Sequence, residues 1–168
     1  IEPAKTFLIK SLEAGKSIVT ANKELVAKYW HELEVAAKKG KAGIYFEASC
    51  VGGVPIIRTL IEGMQGNNIQ SIKGIVNGTT NYILTKMFSY GASFEESLLD
   101  AQNLGYAERN PDADILGTDA CRKIAILTSL ATGMLIPTDK IHTEGITKIR
   151  KADVEAAAKA GLKIKLLG

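Results

Sequence analysis

Several features that would assign a chain to a membrane, a nucleic acid or a metal are scarce here. Aromatic side chains make up 6% of the 168 residues, and none alternates with basic residues as a base-stacking surface requires. The basic excess is small, 21 Lys and Arg against 18 Asp and Glu. No five like charges run together, so nucleic-acid binding is not indicated. No apolar stretch approaches the roughly 20 residues that cross a bilayer, and no signal peptide opens the chain. A cytoplasmic protein with no membrane partner is expected. The two cysteines, Cys50 and Cys121, lie in separate segments without metal-type spacing, which reads as two reduced thiols. His31 and His142 have no metal ligands at suitable spacing and read as surface residues. A Gly-x-Gly-x-x-Gly loop is also missing, and with it the usual cradle for a dinucleotide pyrophosphate.

What is there is a globular composition, 46% hydrophobic and 23% charged, in a length that suits one domain or one domain plus part of another. Pro3 to Ala14 reads as a helix with proline in its first turn and Gly15 past its end. Ser17–Ala21 is a short β-branched strand. Asn22 then caps a long helix, in which Leu25, Val26, Tyr29, Trp30 and Leu33 recur at helical spacing before Gly40. Gly43–Ser49 is a second strand, and this alternation is the pattern of a parallel α/β architecture. Beyond the pair Gly52-Gly53, helices are expected at 55–64, 79–90, 94–103, 118–131 and 152–160, and strands at 69–76 and 162–167. Both ends of the sequence fall inside such patterns, so a segment of a longer polypeptide is expected.

The segment richest in chemistry runs from Gly105 to Lys123 and holds Glu108, Asp112, Asp114 and Asp119. On a helical wheel Asp119, Lys123, Ile126, Leu127 and Leu130 share one face, with Arg122, Ala125, Thr128 and Ser129 on the other side. A surface ion pair at that spacing is worth roughly 0.3–0.5 kcal/mol. Surface pairs do not ordinarily ride the apolar stripe of their own helix, however, and an acid and a base there are costly unless paired or facing a cleft. The stripe is therefore a site candidate. A calcium loop starting at Asp112 fails, because Lys123 stands at the twelfth position where a bidentate Glu is needed.

Three other segments are open to two readings each. Lys23 sits where a parallel strand ends and a helix begins, the crevice in which open α/β sheets bind ligands; an exposed lysine also tolerates that place at little cost. In Glu47 to Pro55 the chain turns on two glycines, which offers carbonyls to a monovalent cation or serves as a tight connection. In Gly74 to Asn81 an Asn-Gly turn opens a hydroxyl-rich helix, either an anion site or a plain cap.

Taken in order, VTANKELVA, EASCVGGVPIIR, GIVNGTTNYIL and GYAERNPDADILGTDACRKIAIL resemble the homoserine dehydrogenase family over nearly the whole chain. The resemblance implies reduction of L-aspartate 4-semialdehyde to L-homoserine with NADPH or NADH, on the route to threonine, methionine and isoleucine. By position it implies that Lys123 is the proton donor to the carbonyl oxygen and that Lys23 serves both substrate and nicotinamide. Glu108 and Asp119 would bind the ammonium or hydroxyl end of the substrate with Asp114 in support, and Gly105 would lie against the cofactor. The carbonyls of Glu47, Cys50, Gly52 and Val54 match the family's sodium site, although Cys50 stands where valine is usual. Arg109-Asn110 likewise replaces a usual acidic residue. The implied fold is α/β. Residues 1–42 form the end of a Rossmann-type dinucleotide-binding domain, and 43–168 a substrate-binding, catalytic and dimerisation domain with a mixed sheet and helices on one face. A homodimer is expected, as is inactivity of these 168 residues alone. The alternative from another class is a non-enzymatic anion-binding or dimerisation module.

Overall fold

A computed structural model describes all 168 residues. Two compact units emerge, one of Ile1–Ile72 with Arg122–Ile141, the other of Lys73–Cys121 with His142–Gly168.

In the first unit, α1 (Ala4–Glu13) packs on α2 (Lys23–Gly40), with Leu12, Leu25, Leu33, Ala36 and Ala37 buried between them. Asn22 caps α2 by accepting from the Leu25 N–H at 3.0 Å, which answers one of the four orphan donors of a helix start. Tyr29 has non-helical angles (φ −120°, ψ 21°), so α2 is kinked there. Two short strands, β1 (Ile18–Val19) and β2 (Ile44–Tyr45), pair in parallel with Ile18 opposite Ile44. The right alternation was thus legible, but the paired stretch is two residues long rather than five to seven. A 3₁₀ turn at Glu47–Ser49 follows where the second strand was expected to continue. Helix α3 (Ile56–Arg58) passes into a π-helical turn, Thr59–Gly63. Val26, Phe46, Cys50, Ile57, Leu60, Ile126 and Leu127 form a second buried cluster.

The second unit is built on α4 (Gly78–Tyr90) and α5 (Phe94–Asn103), whose buried Ile83, Leu84, Met87 and Ala101 meet Ile115, Ile146 and Val154. Ser93 and Glu96 close a capping box at the start of α5. A one-turn helix α6 (Asp112–Ile115) lies inside the carboxylate-rich segment from Gly105 to Lys123, and α8 (Lys151–Lys159) comes last. Helix α7 (Thr118–Thr132) gives its first four residues to this unit and the rest to the first.

The α/β class holds, with the sheet confined to β1 and β2. Residues 69–76 and 162–167, expected as strands, do not form strands. They meet where Gly74 and Gly168 exchange two backbone hydrogen bonds, at 3.0 and 2.9 Å. That is the motif of an antiparallel pair, but one such pair does not make a ladder. The apolar side chains of the last segment find a place all the same: Ile164 and Leu166 pack on the α4–α5 core.

Candidate active site

The acidic residues are placed by a compact set of turns in the second unit. Gly117, at φ +83°, joins α6 to α7; a Cβ there would come within 3.0 Å of the Glu144 carbonyl. The Ile146 N–H donates to the Ile115 carbonyl at 2.8 Å, which pins the α6–α7 corner against the 142–146 loop. Asp114 and Asp119 stand on the two sides of that corner.

Both converge on Asn77, which the sequence presents as part of a turn and a possible helix cap. Asn77 is 5% exposed, and so is Asp119. The Asn77 Nδ2 donates to Asp114 Oδ1 at 2.7 Å and to Asp119 Oδ2 at 2.9 Å. Its Oδ1 accepts from the Thr80 N–H and the Thr80 hydroxyl, each at 2.9 Å, and so caps α4. Ionised carboxylates only accept and a peptide N–H only donates, so the orientation of the amide follows from its partners. Two carboxylates sharing one nitrogen are close enough to repel, and the arrangement is suited to a cationic group.

Gly105 and Glu108 lie on the loop that follows α5. The Thr79 hydroxyl donates to the Tyr106 carbonyl at 2.7 Å, tying their loop to the start of α4. Gly105 is exposed at φ +77°, with open space where a Cβ would project, so a flat ring can approach its backbone. The Glu108 side chain is exposed, and its carboxylate takes no part in the Asn77 hydrogen bonds.

In the first unit the expected residues gather around α7. Lys23 begins α2 and is half-buried. Its neighbour Glu24 accepts from Arg122 Nη2 at 3.1 Å, fixing the first turn of α2 beside α7. Arg122, on the other side of the helix from Lys123, thus carries an ion pair. Ala125, on the same side as Arg122, is buried at 2%. Lys123 is half-buried, with Ile126 and Leu127 buried along its stripe as expected. Its carbonyl accepts from the Cys50 thiol at 3.9 Å, a weak contact that brings the glycine turn to α7.

That turn is held from both ends. The Glu47 carboxylate accepts from the Ile57 N–H at 2.9 Å and the Arg58 N–H at 2.8 Å, so one side chain spans it. Val51 takes φ +46° and Gly53 φ +85°, positive values that are unusual for a β-branched residue such as valine. The carbonyls of Glu47 and Val54 already accept the N–H groups of Cys50 and Ile56, at 3.4 and 2.8 Å. Each carbonyl oxygen has a second lone pair. Neutral carbonyl oxygens are the donor chemistry that suits a hard cation.

Comparison with known proteins decides the family. The family model described as homoserine dehydrogenase matches residues 55–168, and the one described as its NAD binding domain matches residues 1–47. This chain belongs to the homoserine dehydrogenase family. The homoserine dehydrogenase of Lactococcus lactis is 45% identical over all 168 residues, which correspond to 39% of that protein. A crystal structure of a homoserine dehydrogenase from Thiobacillus denitrificans superposes with a TM-score of 0.96 at 45% identity, over 99% of this chain and 39% of that one. A hyperthermophilic archaeal homoserine dehydrogenase, solved in complex with NADPH, has a TM-score of 0.81 at 39% identity, over 88% of this chain and 45% of that one. The chain thus spans about two fifths of the length of these homoserine dehydrogenases.

The residue that sequence reading missed is Asn77. Its segment was singled out, but its carboxylate partners lie 37 and 42 positions further on, and no local spacing reveals that.

Proposed function

We propose that these 168 residues carry the substrate-handling part of a homoserine dehydrogenase, which interconverts L-homoserine and L-aspartate 4-semialdehyde. The observation that supports this most is the paired carboxylates, Asp114 and Asp119, held on one amide with Lys123 one turn further along α7. An amino-acid substrate brings an ammonium, and two oriented acids suit it, with Glu108 assigned to the same end of the substrate. Lys123 gives a proton to the carbonyl oxygen as the alcohol forms, or accepts it in reverse, so that no free alkoxide builds up. Lys23, the first residue of α2, would serve both substrate and nicotinamide, and the exposed Gly105 backbone would lie against the cofactor. Bound NAD or NADP supplies or takes up the hydride; NADPH is present in the archaeal relative.

The carbonyls of Glu47, Cys50, Gly52 and Val54 are assigned to a sodium ion. The ion would brace the turn whose Cys50 touches α7 at Lys123. Residues 1–42 are read as the end of the dinucleotide-binding domain and 43–168 as the substrate and dimerisation domain. The same reading has the enzyme acting as a cytoplasmic homodimer on the route to threonine, methionine and isoleucine. No helix is long and apolar enough to cross a membrane.

The test uses a chimera in which these residues replace their counterpart in a full-length relative. Lys123→Ala is expected to lower kcat by roughly 10²–10⁴, the worth of a positioned proton donor, with a smaller change in KM. Lys123→Arg keeps the charge, but a guanidinium does not release a proton near neutral pH, so it too stays inactive. Full activity in Lys123→Arg would remove the proton-transfer role.

A further inference from the structure

We infer that Asn77 is a positioning residue for substrate capture, converting Asp114 and Asp119 into a two-carboxylate seat for the substrate's ammonium. This deepens the function proposed above and rests on it. Two carboxylates left to themselves swing apart or draw in solvent cations. Here each is tied to a different hydrogen of one amide, at 2.7 and 2.9 Å, and that amide is itself fixed by two hydrogen bonds from Thr80. Thr80 is fully buried, so the amide plane cannot turn without breaking the α4 cap. Asn is fitted to this place: its side chain offers two donors on one side and an acceptor on the other. Ser and Asp are equally good caps, but neither can donate to two carboxylates at once. Capping alone would therefore admit any of the three residues, while the observed bonds require the amide.

The two roles separate in the chimera. Asn77→Ser and Asn77→Asp both keep an oxygen for the α4 cap, and both remove the amide donors. A hydrogen bond to a charged group is worth enough that KM for L-homoserine is expected to rise roughly ten- to hundredfold. The effect is larger for Asn77→Asp, which sets a third carboxylate among the first two. kcat should stay within a few-fold of wild type. The discriminating readout is 4-hydroxybutyrate, which keeps the alcohol and carboxylate but lacks the ammonium. Its kcat/KM should be the same in wild type and variants, so that the preference for homoserine collapses. Equal losses on both substrates, a loss carried by kcat, or an unchanged homoserine KM would each overturn the proposal. If Asn77→Asp does not fold, Asn77→Ser carries the test without added charge. A wild-type chimera that fails to oxidise homoserine sinks the proposed function itself, and it does so before any variant is made.

Discussion

Asp100 on α5 accepts from both the Tyr82 hydroxyl and the Lys86 ammonium, which lie one turn apart on α4. The Lys86 ammonium beside it, followed by the Tyr82 hydroxyl, holds the Asp100 carboxyl below its usual value of 3.8. The same carboxylate raises Lys86 above its usual 10.5 and Tyr82 above its usual 10.0. A lowered acid stabilises the fold above its ordinary value, and that contribution disappears as pH falls through the folded one. A raised base or phenol stabilises below its ordinary value and loses the contribution as pH rises. Asp100→Asn should therefore be less stable than wild type by a constant margin between about pH 4 and pH 10, with the two converging beyond either limit. Urea midpoints across pH measure this, and a margin that widened in acid would contradict it. None of these three residues stood out in the sequence, for the same reason that the carboxylate partners of Asn77 did not. Glu108, Asp114, Asp119, Lys23 and Lys123 were marked by their type and by the motifs around them. A residue whose meaning lies in a partner tens of positions away has no such marker.

Elements were legible to the extent that their causes are local. The bounds of α1, α2, α5 and α8 fall within about two residues of the periodic pattern, because a cap such as Asn22 on Leu25 reaches only three positions ahead. The extended segments at 69–76 and 162–167 were misread because a strand exists only with a partner, and partners are distant in sequence. Glycine shows the same division. Gly40 reads as a helix terminator, yet it remains the last residue of α2, where α2 meets α1. A Cβ at that position would lie 1.7 Å from the Leu12 carbonyl oxygen and 3.1 Å from the Gly15 nitrogen. Both are backbone atoms, so relief requires moving a helix. Gly40→Ala is expected to cost about 1–3 kcal/mol as an overpacking change. At Gly63 a Cβ would meet nothing nearer than the Thr59 methyl at 3.9 Å, and Gly63→Ala should be neutral or stabilise by about 0.4–1 kcal/mol. Denaturant titration of the two variants settles it; equal losses would mean that the α1–α2 contact is looser than this packing requires.

At the scale of the whole molecule, the chain holds the residues assigned to substrate and proton transfer but no Gly-x-Gly-x-x-Gly loop. The match to the NAD binding domain is limited to residues 1–47, and the chain spans 39% of the Lactococcus protein. Parallel sheets are ordinarily covered on both faces, yet Val19 and Tyr45 on β1 and β2 are 83% and 61% exposed. In the roles proposed for them Lys23 and Gly105 would touch the nicotinamide, but neither would fix its distance and angle to a substrate carbon, which is the task of a phosphate cradle at the far end of the cofactor. Orientation of two reactants accounts for about 7–11 kcal/mol of a barrier, so losing it lowers the rate by five or more orders of magnitude even with Lys123 in place. The 168 residues assayed alone, with L-homoserine and either NAD or NADP, are accordingly expected to show no turnover above background. The chimera carrying the same residues should turn over at a rate close to that of its full-length parent. Measuring both preparations separates a defect in these residues from the want of a cradle. Turnover by the isolated chain comparable to the parent's would mean that the cofactor is oriented by groups within these two units, and that the roles of Lys23 and Gly105 extend well beyond contact.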